Sequence, residues 1–289
     1  MFFRKNREKK TEELAAGQLR WNRVIHSRKT RIGLAISVLF VLTAVFAPLI
    51  APNDPLYVSV IDKLKPPSGP FPLGTDQLGR CVLSRLIWGS RYSLSYSFIV
   101  LSIMVLVGVP IGLVAGYVGG RADTVIMRVI DVFMAMPSFV VALAIAGTLG
   151  ASGRNLVLAM SCVYWAEYAR LTRALTLQVR GQNYMMALRA GGCTHAQILF
   201  RHVLKNIAPS IIALATMEIG SIILAIAGFS FIGLGVQAPT PEWGIMLSDS
   251  REFIQTCPRL MIIPGIVVVI VVLAFNLLGE GIQDGLHAD

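Results

Sequence analysis

Residues 178–206 read QVRGQNYMMALRAGGCTHAQILFRHVLKN. Arg180, Arg189, Arg201 and Lys205 make the stretch too polar to cross a bilayer, yet Met185, Met186, Leu188, Ile198, Leu199 and Phe200 make it too apolar for a plain loop. Tyr184 to Ala190 and Ala196 to Leu204 each have room for a helical turn or two, and Gly191 and Gly192 between them allow backbone angles that a side chain would block. The expectation is an elbow of two short helices. Such an elbow can lay its apolar face into a groove on a soluble partner and set its register by charge. The alternative is an amphipathic loop resting on the membrane surface.

On both sides of this insert the chain is suited to lipid. Of its 289 residues 55% are hydrophobic and only 15% charged, against roughly 25% charged in soluble domains. Uncharged runs at 32–50, 92–120, 132–153, 219–241 and 261–279 are each long enough to cross about 30 Å of hydrocarbon at about 1.5 Å per residue. The run beginning at 219 can be entered from as early as Ile207. A sixth span fits 155–177, where Glu167, Arg170 and Arg173 lie toward one end and can snorkel or face protein. The first apolar run follows a basic tail of about thirty residues, with no small-residue cleavage pattern behind it, so it is expected to remain as a span.

With six crossings and a cytoplasmic N-terminus, eighteen of the 26 Lys and Arg residues fall inside and eight outside. That is the bias of the positive-inside rule. A basic cytoplasmic face against anionic lipid also accounts for the net charge of +10 without nucleic acid. The chain is therefore read as an all-α integral membrane protein with six transmembrane helices. Residues 1–31 form a cytoplasmic tail whose second half is an interfacial helix or a disordered basic segment, 32–50 the first helix and 51–91 an extracytoplasmic loop. Residues 92–284 form a core of five helices that carries the insert at 178–206.

Smaller features sharpen this outline. Six prolines between Pro52 and Pro72 forbid a long helix in the loop, and Thr75 or Asp76 is placed to cap an amphipathic helix from about Gln77. Gly108, Gly112 and Gly116 recur at a spacing that lets membrane helices approach closely. Pro137 is positioned to kink the third span, and Trp243 is expected to anchor at the membrane interface.

No catalytic set is visible: GxSxG, HExxH and a Gly-Lys-Ser/Thr phosphate loop are all missing from the sequence, which argues against ATP hydrolysis by this chain. Cys81, Cys162, Cys193 and Cys257 are scattered singly and the four histidines are dispersed, so neither a disulfide framework nor a metal site is expected. An intramembrane enzyme would need facing polar catalysts, and a channel a polar ring; the spans offer neither. Ionisable residues in apolar surroundings are Asp131, Glu167, Arg170, Arg173 and Glu218. Each can be drawn near the cytoplasmic end of its helix, as a structural or gating salt bridge in preference to a substrate contact.

YMMALRAGGCTHAQILFRHVLKN resembles the EAA loop, the coupling-helix motif of binding-protein-dependent ABC importer permeases, around Arg189–Ala190, Gly192, Ile198–Leu199, Arg201–His202, Leu204 and Asn206. LGTDQLGRCVLSRLIWGSRYSL and FSFIGLGVQAPTPEWGIMLSD resemble stretches of the dipeptide, oligopeptide and nickel permeases, so the likeness runs from about Arg31 to Asp284. Met186, Leu188, Lys205 and Cys81 depart from the usual residues at their positions. CVYWAEYARLTR, containing Trp165, and Ala227–Gly228 lean narrowly toward the nickel permeases.

The resemblance implies the type I ABC importer permease fold in the cytoplasmic (inner) membrane of a bacterium, with both termini cytoplasmic. It implies a second permease subunit, two ATPase subunits and an extracytoplasmic solute-binding protein as partners. ATP and magnesium would be bound by the ATPases, with no cofactor on this chain, and the cargo would be nickel, another metal chelate, or a di- or oligopeptide. Ala187, Arg189, Ala190, Gly192, Ile198, Arg201, His202 and Leu204 would couple to the ATPases, with Asp131, Glu167, Arg170 and Glu218 as gating or pathway candidates.

Overall fold

A computed structural model describes residues 23–287. The expectation for residues 1–22 of the tail lies outside the described residues; residues 23–26 form a helical turn. The described chain is helical apart from its loops and one isolated β-bridge between Thr75 and Cys81.

α1 (Arg28–Val45) is followed after Phe46 by the single turn α2 (Ala47–Ile50). α3 (Val82–Val118) and α4 (Gly120–Met134) meet at Gly119, and α5 (Ser138–Leu149) follows a break at Pro137. α6 (Gly153–Arg180) leads into the insert, where α7 (Tyr184–Ala190) and α8 (His195–Gln197) precede a π-helical stretch, Ile198–Val203. α9 (Leu204–Phe231), the short α10 (Trp243–Asp249) and α11 (Arg259–His287) complete the chain.

Among the described residues three continuous helices, Val82–Val118, His195–Phe231 and Arg259–Leu286, are long and apolar enough to cross a membrane, and α4 with α5, bent by 73°, make a fourth if the bent pair is one span. α1 and α6 are also long, but Arg28, Lys29 and Arg31 in one and Arg154, Glu167, Arg170, Arg173 and Arg180 in the other lower their hydropathy. α6 is nonetheless central. It packs most extensively on α3, while α9 packs on α11 and α11 on α1.

The glycine stripe on α3 makes the first of these contacts possible. A Cβ added at Gly112 would stand 2.3 Å from the Ala169 carbonyl oxygen, and at Gly108 and Gly116 it would meet Tyr168 and Thr176 at 2.7 Å. Helix backbones therefore touch, as expected from the spacing. Where α1 meets α11, Gly33 lies against Ala274 and Leu278, and Lys29 Nζ reaches Glu280 and Asp284 at 3.2 and 3.1 Å. The start of the first long helix and the end of the last are thus at one end of the bundle.

The helices differ from the apolar runs at their edges. α3 begins ten residues before 92, because residues 82–91 include Ser84, Arg85 and Ser90, which are polar but buried. The third run is broken at Pro137, whose ring removes a donor and forces the turn before it away from helix. The fifth helix starts far upstream of 219, being continuous from His195, and stops at Phe231, before Gly233 takes a φ of +85°. The second arm of the elbow is thus the first turns of a long helix.

Two further expectations are corrected. α3 has Cys81 at its N-cap with no side-chain capping bond. Asp76 instead folds the preceding turn, accepting from the N–H groups of Leu78 and Arg80 at 2.9 Å. Trp243 is fully enclosed, so it is no interface anchor. Its ring stacks edge-on against Phe40, its indole N–H donates to the Leu86 carbonyl at 3.1 Å, and Gly89 leaves room for it.

Candidate functional site

The insert is rigidly rooted and openly displayed. Met185, Ile198 and Val203 are buried beneath it. Asn206 Nδ2 donates to the Tyr184 hydroxyl at 2.9 Å, which ties α7 to the start of α9. The Tyr117 hydroxyl at the end of α3 lies 2.8 Å from His195 Nδ1. Between the arms Gly192 adopts a φ of +79°, a conformation for which glycine is suited. Thr194 then starts the next helix with a reciprocal capping box involving Gln197.

On this base Ala187, Arg189, Ala190, Gly192 and Arg201 are exposed, together with Met186 and Phe200. His202 and Leu204 are half-buried, and Ile198 is wholly enclosed, so Ile198 holds the insert in place from within. The exposed face combines two large apolar side chains with two guanidinium groups. It has the makings of a docking surface, with apolar area for affinity and charge for register.

The charges within the bundle pair across helices. Arg173 grips Asp123 with two bonds of 2.5 and 2.6 Å, and Arg170 reaches Asp131 at 2.5 Å. Both pairs join α6 to α4. Glu167 accepts from the Ser138 hydroxyl at 2.6 Å. Glu218 is half-buried on α9. Glu167 and Glu218 each lie halfway along a 28-residue helix, so neither is at a helix end as the sequence reading allowed. Asp123 and Ser138 were not singled out from the sequence as members of this network.

The end of the bundle opposite the insert carries a second charged knot. Arg80 and Arg85, almost completely buried, converge on Asp76 and Asp249 at 2.6–3.7 Å. Arg259 donates to the carbonyls of Leu64 and Lys65. The proline-rich loop is thereby clamped to α10 and α11. Among the described residues no group of three or more His, Cys, Asp or Glu is arranged to hold a metal ion, and all four cysteines are free.

A bundle of long apolar helices with a cationic, apolar-tipped elbow defines an integral membrane protein. Residues 108–289 match the family of binding-protein-dependent transport system inner membrane components, and 16–67 match the N-terminal transmembrane domain of oligopeptide transport permease C. The dipeptide transport system permease protein of Alkalihalophilus pseudofirmus is 39% identical over 255 residues, 88% of this chain and 84% of the relative. The nickel transport system permease protein of Escherichia coli K12 is 39% identical over 89% of this chain and 92% of its own length. The metal-staphylopine import system permease protein of Staphylococcus aureus is 38% identical over 90% of each.

An inward-facing structure of the MetNI methionine ABC transporter superposes with a TM-score of 0.56 at 16% identity, over 69% of this chain and 95% of that one, which shows a shared fold. The chain belongs to the family of binding-protein-dependent transport system inner membrane components. It is a multi-pass permease subunit of an ABC importer with the type I fold, and not an enzyme.

Proposed function

We propose that this chain forms half of the translocation path of an importer for short peptides or metal chelates, paired with a second permease subunit. Two ATPase subunits, which bind ATP and magnesium, dock on the insert, and an extracytoplasmic binding protein delivers cargo at the other end. Six helices cross the inner membrane, with both termini and the insert in the cytoplasm. The single observation that carries this reading is the insert itself: Met186, Arg189, Phe200 and Arg201 are displayed outward while Met185, Ile198 and Val203 anchor them. Because its second arm is continuous with α9, movement of a docked partner is passed to a helix that spans the bundle.

The dipeptide and nickel relatives match at the same 39%, so both cargo classes belong to the proposal. Trp165, which leaned toward nickel, packs against Phe133 and lines an apolar hollow with Ile111 and Val129; its surroundings are packing surfaces. The test is reconstitution of the complete complex with its binding protein. Cargo-loaded binding protein should stimulate ATP hydrolysis when short peptides or nickel chelates are supplied, and Arg189→Glu should reduce the ATPase that copurifies by several-fold. Unchanged ATPase stoichiometry in the variant would remove Arg189 from the docking surface, and absence of stimulation by any member of the panel would overturn the importer assignment for this cargo range.

A further inference from the structure

The end of the bundle away from the insert holds a hollow of about 490 Å³, lined by Pro48, Asn53, Asp54, Trp88, Tyr92 and Pro241 among others. Three segments far apart in the chain build it: α2 with the residues after it, the first turns of α3, and the loop that leads to α10. Its depth is read along α3. Trp88 stands about thirty residues before the helix end at Val118, which at about 1.5 Å per residue is about 45 Å, the thickness of a bilayer of about 40–45 Å with its headgroups. Val118 in turn lies beside the insert, since the neighbouring Tyr117 contacts His195. The hollow is therefore at headgroup depth in the leaflet away from the insert. Leu49 and Ile50 in α2, 82% and 51% exposed, present apolar side chains next to it.

The polar groups at the hollow are not used up within the chain. The Leu56 N–H donates to Asp54 Oδ1 at 2.8 Å and holds the carboxylate in place, yet Asp54 has no ion pair among the described residues. Asn53 is fixed by its own N–H, which donates to the Ser84 hydroxyl oxygen at 3.0 Å, while its side-chain oxygen has no hydrogen-bond partner and so no bond to lose by turning toward a donor. Arg91 is exposed and likewise without an ion pair among the described residues; its guanidinium lies 5.6 Å from the centre of the Trp88 ring. Aromatic rings attract an ammonium, a carboxylate and an amide oxygen accept from its N–H groups, and a guanidinium suits a phosphate. We propose that this hollow binds the headgroup of a phospholipid bearing a primary ammonium, of the phosphatidylethanolamine class, with the ammonium at Asp54 and Asn53 against Trp88 and Tyr92, the phosphate at Arg91 and the acyl chains along Leu49 and Ile50. A choline headgroup keeps the charge but has no N–H to donate, and a glycerol headgroup has no cation.

The experiment uses the purified permease and ATPase complex in nanodiscs of equal parts phosphatidylethanolamine, phosphatidylcholine and phosphatidylglycerol, with native mass spectrometry of the lipids that stay bound. The wild type should retain phosphatidylethanolamine over phosphatidylcholine about fivefold, and Asp54→Asn and Arg91→Gln should each lower its retention about fivefold, the effect of one partly exposed charge pair. Asp54→Glu keeps the charge and should keep the preference. In discs of phosphatidylglycerol alone each variant should melt as the wild type does, so that lost retention reports the headgroup contacts. Equal retention of the two zwitterionic lipids by the wild type, or an unchanged preference in both Asp54→Asn and Arg91→Gln, overturns the proposal. Soluble glycerophosphoethanolamine, which has the headgroup without acyl chains, should leave the retained lipid in place; full displacement would make the hollow a site for soluble amines and overturn a lipid there. Displacement of the lipid by loaded solute-binding protein, with weaker capture of that protein by Asp54→Asn, would assign the surface to the binding protein and overturn it as well.

Discussion

Glu242 is wholly enclosed, yet its two oxygens receive the Ser93 hydroxyl and the Ile245 N–H at 3.0 Å. Burial pushes its carboxyl up from the usual range, and bonds from the Gly244 and Ile245 amides and the Ser230 and Ser93 hydroxyls work against that push. Its importance is thus as an acceptor that starts α10 and holds Trp243 beside α3. Glu242→Ala would strand these donors at a cost of about 1–3 kcal/mol each, whereas Glu242→Gln keeps an acceptor oxygen. The thermal midpoint of the purified complex should fall for both and further for Ala; equal falls would show that the retained acceptor oxygen contributes nothing. Nothing local in PTPEWG distinguishes this buried glutamate from a solvated loop residue, because its partner Ser93 is contributed by a helix 149 positions away in sequence. Asp131, Arg170 and Arg173 were each legible as salt-bridge candidates, since they stand out against apolar neighbours, but which carboxylate each arginine takes, Asp131 for Arg170 and Asp123 for Arg173, depended on how α4 lies across α6.

At the scale of elements the insert is the most legible part of the chain. Amphipathic spacing and the paired glycines indicated two helical arms with a break between them, and both arms are present. Continuity of the second arm with α9 was hidden because Arg201, His202 and Lys205 interrupt the apolar run, although a helix tolerates them where they face out of the bundle. Gly192→Pro tests the joint. Proline holds φ near −65°, while Gly192 requires +79° and donates its N–H to the Arg189 carbonyl at 3.1 Å. The variant should still insert and assemble with the second permease but lose more than about 90% of uptake, because a docked ATPase would no longer be linked to α9 in register. Normal uptake at native expression would show that the turn does not transmit motion.

For the whole molecule, the arrangement of charges predicts orientation. Lys29 with Glu280 and Asp284 brings the start of α1 and the end of α11 together on the insert's side, and the knot of Asp76, Arg80, Arg85 and Asp249 fastens the opposite end. A membrane-impermeant maleimide applied to intact spheroplasts should label Val60→Cys, at an 84% exposed position, and leave Arg201→Cys unlabelled until the membrane is opened. The reverse pattern would invert the topology.

Hydropathy, the positive charge bias and the glycine spacing determined from the sequence alone that this is a helical membrane protein with close-packed spans and a polar elbow, because each depends on the lipid solvent or on neighbours along a single helix. Which helices touch, that Trp243 is a core residue, that α3 begins at Val82, and that Arg173 takes Asp123 were decided only in the tertiary structure. Those facts depend on distances between segments far apart in the chain, and a polar side chain is worth burying only where another segment brings its partner.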